Sequence, residues 1–182
     1  VLSTGFPLTL LGVARLAEII AQDWKTAAFD GRLQTYAQQT DRELLATARL
    51  IGALYATMNN FPVFVAISLL YFAAASYAEA ARRLGKAHLA SSFLLCDDAV
   101  FGPASSGLLD RALHPLTQVE SAELVRDILS SIEPINVAGL GRPEKRNWYP
   151  VEASDLLENA HKLEATRDEV LAMLSRCGFN VS

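Results

Sequence analysis

The sequence predicts a mainly α protein, an irregular multi-helix bundle with one long irregular stretch near residues 133–150. Three observations carry this. Apolar residues recur at three- and four-residue spacing over long segments, the period of a helix with one buried face. No segment shows the strict apolar/polar alternation of a half-buried strand. Proline, glycine and capping residues fall where those segments begin and end.

A first helix is expected over residues 7–24. Pro7 suits the first turn, where its missing N–H costs nothing. Leu10, Leu11, Ala14, Leu16, Ala17, Ile19 and Ile20 form a broad apolar stripe, with Arg15, Glu18, Gln22 and Asp23 between them. A second helix is expected over residues 30–58, with a bend near Gln39-Thr40. Leu33, Tyr36, Ala37, Leu44, Leu45, Ala48, Ile51, Leu54 and Tyr55 keep helical spacing until Asn59-Asn60 ends it.

The third helix is expected over residues 62–84. Gly85 stands where a helix commonly ends, and Arg82 and Arg83 suit the negative end of its dipole. Residues 62–78 form a run of 17 without a charge. That length sits at the lower edge for a membrane span, and five alanines and two serines dilute it. The run therefore reads as the central core helix rather than a membrane contact, with Ala73, Ala74, Ala75 and Ala78 allowing close packing.

Residues 86–115 are mixed. Residues 88–95 give one or two helical turns, Phe101-Gly102-Pro103 reads as a turn, and residues 104–113 as a short helix. Thr117 and Glu120 form a capping box, in which each side chain caps the other's backbone N–H, opening a helix to about Ser131. Residues 133–150 hold three prolines and two glycines. Irregular stretches of that length are usually functional or docking segments. Residues 154–160 read as helical. Thr166 and Glu169 form a second capping box, opening a helix to Arg176 that Gly178 stops. The whole reads as a single helical domain, with Pro134 the one candidate boundary.

Composition bounds the function. The chain has 182 residues, 51% hydrophobic and 20% charged, with a net charge of −4. This excludes ordinary disorder. It also lacks the clustered basic excess of a nucleic-acid surface. The two cysteines, Cys96 and Cys177, are too few for a disulfide framework and fit a reducing compartment, so a cytoplasmic setting is expected. The chain starts at Val1 without the pattern of a secretory leader.

Few motifs carry chemistry. His88, His114 and His161 are far apart, with no pair at ligand spacing. Cys96-Asp97-Asp98 reads as a buried thiol beside a loop or cap acid. Ser105, between Gly102 and Gly107, misses the spacing of a nucleophile elbow. No glycine fingerprint or P-loop is present. Arg142, Lys145 and Arg146 cluster beside Trp148 and Tyr149, as a phosphate or acid contact or as a solvated loop with aromatic anchors. Phe61, Phe64, Tyr71, Phe72 and Tyr77 could line an apolar-ligand pocket, though core packing is the commoner role of such residues.

The segment Ser3-Thr4-Gly5-Phe6-Pro7 leads straight into the first helix. Free N–H groups at a helix start favour anions or cofactor oxygens, and Gly5 permits close approach. The alternative is that Ser3 or Thr4 simply caps the helix.

These residues also carry a resemblance. The run Leu2-Ser-Thr-Gly-Phe6 opening a long helix resembles the C-terminal half of flavin-dependent halogenases and related FAD-dependent oxidoreductases. So does Leu69-Leu-Tyr-Phe-Ala-Ala-Ala-Ser76 followed by Glu79-Ala-Ala-Arg-Arg-Leu84. Asn136-Val-Ala-Gly-Leu140 with Arg146-Asn-Trp-Tyr-Pro150 is similar to a late loop of that group. The resemblance spans nearly the whole chain. It implies a helical domain that covers FAD and shapes a substrate pocket, with Ser3, Thr4, Gly5, Phe6 and Pro7 at the cofactor. In halogenases, the backbone amides of the Thr-Gly pair hold the halide. The implied partner is the N-terminal FAD-binding region of the same parent chain, without which the domain is inert. The sequence departs from the group where Trp-x-Trp-x-Ile-Pro is absent and where Leu2 replaces the glutamate of tryptophan halogenases. The alternative is a self-contained bundle that binds a protein partner or an apolar ligand.

Overall fold

The computed structural model describes residues 4–142 and 151–179. Among them the protein is mainly α, a bundle of seven helices joined by short 3-10 turns. The helices are α1 (Gly5–Asp23), α2 (Phe29–Ala56), α3 (Phe61–Arg83), α4 (Phe101–Ala112), α5 (Gln118–Ile132), α6 (Ala153–Glu158) and α7 (Arg167–Arg176). No strand occurs among the described residues.

The centre is α3. Val63, Ala66, Ile67, Ala73 and Ala81 are sealed from solvent, and Leu70, Ala74 and Ala78 nearly so. Small alanine side chains let neighbouring helices approach its axis, as the all-round apolar pattern predicts. α2, α4 and α5 pack round it, with the 3-10 turns Ala87–Ala90 and Phe93–Leu95. α5 contributes Leu124, Ile128 and Ile132, all fully buried. α6 and α7 form a smaller apolar cluster of Leu157, Ala160, Val170, Met173 and Leu174. Leu84, Leu156 and Ala165 pack against both this cluster and the main core.

The termini of the helices follow local chemistry. Both capping boxes form. Thr117 and Thr166 accept from the N–H of Glu120 and Glu169, and those glutamates accept from the threonine N–H groups. Gly85 and Gly178 take left-handed backbone at φ 76° and 84°. Each closes its helix in the same way: the next residue's N–H reaches back five positions, Lys86 to Ala81 O and Phe179 to Leu174 O.

Two expectations need correction. α2 runs unbroken through Gln39-Thr40. Phe101-Gly102-Pro103 is not a turn but the first turn of α4. Asp98 starts that helix early, its carboxylate accepting from the N–H of Val100 and Phe101 at 2.9 and 2.7 Å. The described part of the irregular stretch, residues 133–142, is irregular as expected, the 3-10 turn Glu133–Ile135 followed by tight turns, and it packs into the core. Asn136, Val137 and Ala138 are buried, and the Asn136 amide clamps Leu140 by donating to its carbonyl and accepting from its N–H. Gly141 sits at φ 77° with Leu129 so close that a Cβ would collide with it. The remainder, residues 143–150, lies outside the described residues.

The capping hydrogen bonds from Thr117 and Thr166 hold the Glu120 and Glu169 carboxyls below the ordinary glutamate value of 4.5. A depressed folded pKa contributes stability that is complete above the ordinary value and is lost as pH falls below it. The melting temperature should therefore fall as pH drops below about 4.5. The double variant Glu120→Gln, Glu169→Gln should flatten that acid limb in a thermal-melt series.

Candidate functional site

The first candidate is the start of α1. Ser3 lies outside the described residues. Thr4 is buried and already helical, and its side chain makes no capping bond. Its carbonyl accepts from Leu8 N–H at 3.2 Å. The N–H groups of Gly5 and Phe6 have no partner among the described residues, and Pro7 has none to offer. Nothing lies within 4 Å of where a Gly5 Cβ would stand. Phe6 is 72% exposed and Pro7 is half-buried. A helix start with free donors, an open approach and an exposed ring suits an anionic or oxygen-rich group. The reading of Thr4 as a side-chain cap is not what the structure contains.

α1 lies along α2 and has two apolar faces. One is partly covered by α2. The other, Phe6, Leu10, Val13, Ile20 and Trp24, stays exposed. These residues, with Ala17, repeat at alternating four- and three-residue steps, the spacing of a helix–helix seam.

Sequence reading missed the group that fixes α1 to the bundle. Glu43 on α2 is 1% exposed and sits among donors from three places. Arg15 of α1 reaches its Oε2 at 2.7 Å. The N–H of Phe93 reaches Oε1 at 2.8 Å, and Gln39 Nε2 reaches it at 3.2 Å. Arg15 and Gln39 also donate to the carbonyl of Ser91. A buried carboxylate is tolerable because it is paired and hydrogen-bonded. In sequence, Glu43 reads as one more solvated charge between Arg42 and Leu44. Only tertiary contact gives it a role.

Glu43 thereby anchors a strap, residues 91–97, across the bundle. Ser92 Oγ accepts from Asp97 N–H at 2.9 Å, and Arg42 holds the Asp97 carboxylate with two bonds of 3.1 Å. Leu94 and Leu95 both sit in left-handed backbone, at φ 52° and 56°. Such backbone costs energy in a leucine and persists only where surroundings enforce it. Gly102 makes room: a Cβ there would stand 2.4 Å from the Cys96 carbonyl oxygen.

The strap forms one wall of the second candidate, a cleft of about 580 Å³ between α2, α3 and α4. Its lining is mostly apolar, with Leu50, Leu70, Leu94 and Leu109 prominent. Arg49 pairs with Asp110 at 3.1 Å and donates to Ser106 at the rim. Burial pushes the Cys96 thiol up, opposed by its hydrogen bond with Ser92, so it stays neutral at physiological pH. Burial also raises the Tyr71 phenol, which remains a hydroxyl donor. A second cleft of similar volume lies between α3, α6 and α7, where Arg83 donates to Cys177 Sγ at 3.1 Å. Tyr71 lines both.

Of the five aromatic residues expected at a pocket, Tyr71 and Phe72 line clefts, edge to face at 5.1 Å. Phe64 and Tyr77 join the core, and Phe61 is 69% exposed. Ser105 lies inside α4, donating to the Gly102 carbonyl, so no nucleophile elbow exists there. Among the described residues no metal-holding group of three His, Cys, Asp or Glu side chains forms. Arg142 pairs with Glu158 at 3.6 Å. Lys145, Arg146, Trp148 and Tyr149 lie outside the described residues. Helices α1 and α3 are both long and apolar enough to cross a membrane, but α3 is mostly buried within the fold. Comparison with protein-family models, with curated proteins and with solved structures finds no match.

Two outcomes test this framework. Glu43→Ala leaves Arg15 facing an emptied site and the Phe93 N–H unpaired, and should cost about 3 kcal/mol in urea unfolding. Gly102→Ala forces the strap off α4. It should cost at least about 2 kcal/mol, far beyond the gain in helix propensity.

Proposed function

We propose that this chain is the helical, flavin-covering portion of an FAD-dependent oxidoreductase of the halogenase-like group. The observation that carries this reading is the state of α1. Its outward face is apolar and uncovered from Phe6 to Trp24, and it begins at the Ser-Thr-Gly segment that the resemblance puts beside the flavin. The five exposed side chains present on the order of 500 Å² of apolar surface, the size of the largest patch on a typical monomer, which is often functional. The proposed cover is the FAD-binding region of the same parent chain.

The residues at the helix start fit the group. FAD, when bound, supplies the redox chemistry, and the protein supplies position and electrostatics. Gly5 admits close backbone approach. Its N–H and that of Phe6 offer donors to a flavin oxygen or, in a halogenase, to a halide. Phe6 packs against the ring system, and Pro7 fixes the backbone that presents both. α1 is held at its angle by the Arg15–Glu43 pair, so the distance from Gly5 to the cofactor is set inside this chain. The substrate is a small molecule whose pocket this domain helps to shape.

A second reading is a self-contained bundle whose exposed α1 face receives a separate protein. The same uncovered stripe favours it. Flavin binding separates the two, because both leave the stripe exposed in the isolated chain: a folded protein that takes up no FAD when joined to its upstream sequence supports the self-contained module.

The direct test joins the chain to the coding sequence that precedes Val1 in its source. The purified protein should carry flavin absorbance. Gly5→Val should abolish that absorbance or reduce FAD affinity at least about tenfold. The same substitution should change the melting temperature of the 182-residue chain little, because the position faces open space. A folded, colourless product that FAD cannot reconstitute overturns the proposal.

A further inference from the structure

We propose that the cleft between α2, α3 and α4 is a binding site for an uncharged, mainly apolar small molecule that offers one hydrogen-bonding group to Tyr71. The site would exist whether or not the chain belongs to a flavoprotein.

Five observations converge. The volume, about 580 Å³, falls within the range of small-molecule sites. The floor is aliphatic, from Leu50, Leu70 and Leu109. The charge at the mouth is balanced. Arg42 is held by Asp97 and Arg49 by Asp110, two cations against two anions. An anionic ligand would have to displace an existing carboxylate, and a cationic one would meet two guanidinium groups. A neutral ligand meets neither obstacle.

Polar groups in the cleft are otherwise spoken for. Ser105 donates to the Gly102 carbonyl, and Ser106 accepts from Arg49. The Tyr71 hydroxyl has no hydrogen-bond partner among the described residues, although the ring is only partly exposed. A hydroxyl that is not engaged within the protein is free to exchange its water for a ligand oxygen or nitrogen.

The wall is preformed. Residues 91–97 are fixed by Glu43, Ser92 and Arg42, and the left-handed pair Leu94-Leu95 is locked against Gly102. A fixed wall needs no ordering when a ligand enters, which favours affinity at small ligand size.

The test uses the 182-residue chain and three probes: 2-naphthol, naphthalene and 2-naphthoate. The first is neutral with one hydroxyl, the second lacks the hydroxyl, and the third is anionic. Binding is read by probe fluorescence and by methyl NMR shifts at Leu50, Leu70, Leu94 and Leu109. 2-Naphthol should saturate one site with a dissociation constant below about 1 mM, moving those methyls rather than Leu10 or Leu44, which lie outside the cleft. Tyr71→Phe should weaken 2-naphthol about tenfold and leave naphthalene unchanged. Ala46→Phe, which fills the cleft from α2, should abolish both. If Ala46→Phe does not fold, the methyl map and Tyr71→Phe decide alone. Absence of saturable binding, shifts confined to the exposed α1 face, equal loss of naphthalene and naphthol in Tyr71→Phe, or tighter binding of 2-naphthoate would each overturn the proposal.

Discussion

The constraint on which this protein rests is that α3 is apolar on every side. Such a helix is stable in water only when enclosed, so its neighbours are arranged as a sheath. α5, α2 and the 3-10 turns Ala87–Ala90 and Phe93–Leu95 cover most of its surface, and the buried segment at Asn136–Ala138 adds to the same core. The alanines make this possible at short range. They also leave shallow relief along the helix where a neighbour does not fill in. The two clefts lie on such ground, one beside Ala74 and the other beside Ala75, with Tyr71 at the wall of each. The same small side chains that permit tight enclosure create the places where enclosure is incomplete.

α1 is the helix that takes little part in this enclosure. It packs on α2 and is tied down by two ion pairs, Arg15 to the buried Glu43 and Asp23 to Arg32 at 2.9 Å. A single buried carboxylate then links α1, α2 and the strap at residues 91–97. The orientation of the proposed cofactor-facing segment and the shape of the cleft wall thus share one anchor. Disturbing Glu43 moves both, which is why variants there report on stability rather than on either site alone.

Much of the fold was legible because its signals are local. Capping boxes, the left-handed glycines at positions 85 and 178, and the all-apolar run of α3 each require only neighbouring residues to take effect. The misreadings have the opposite character. The Gly-Pro after Phe101 signals a turn, but Asp98, three residues before Phe101, supplies the cap that starts α4. Asn136 lies in a stretch rich in proline and glycine, and only its clamp on Leu140 and the space under the core make the segment a buried one. Glu43 and the strained leucines at 94 and 95 carry no local signature at all. Of the proposed flavin-side residues, Thr4 to Pro7 were legible as an open helix start. Their setting was not, because exposure along α1 depends on what the rest of the chain leaves uncovered.

The contrast between α1 and α3 shows how far composition can lead. Both pass the same length and hydropathy test for a membrane span, yet one is mostly inside the bundle and the other is mostly outside. What separates them is how charge is distributed. α3 keeps Glu79, Arg82 and Arg83 at its far end, past the core. α1 places Arg15 in its middle, on the side that meets Glu43, and leaves the opposite side apolar. An ionic group spent inward and an apolar stripe turned outward is a poor arrangement for a helix that ends at solvent. It suits a helix that lies between two bodies, pinned to one by a buried ion pair and pressed by its apolar stripe against the other. That geometry is what supports the proposal that α1 is an internal layer of a larger assembly.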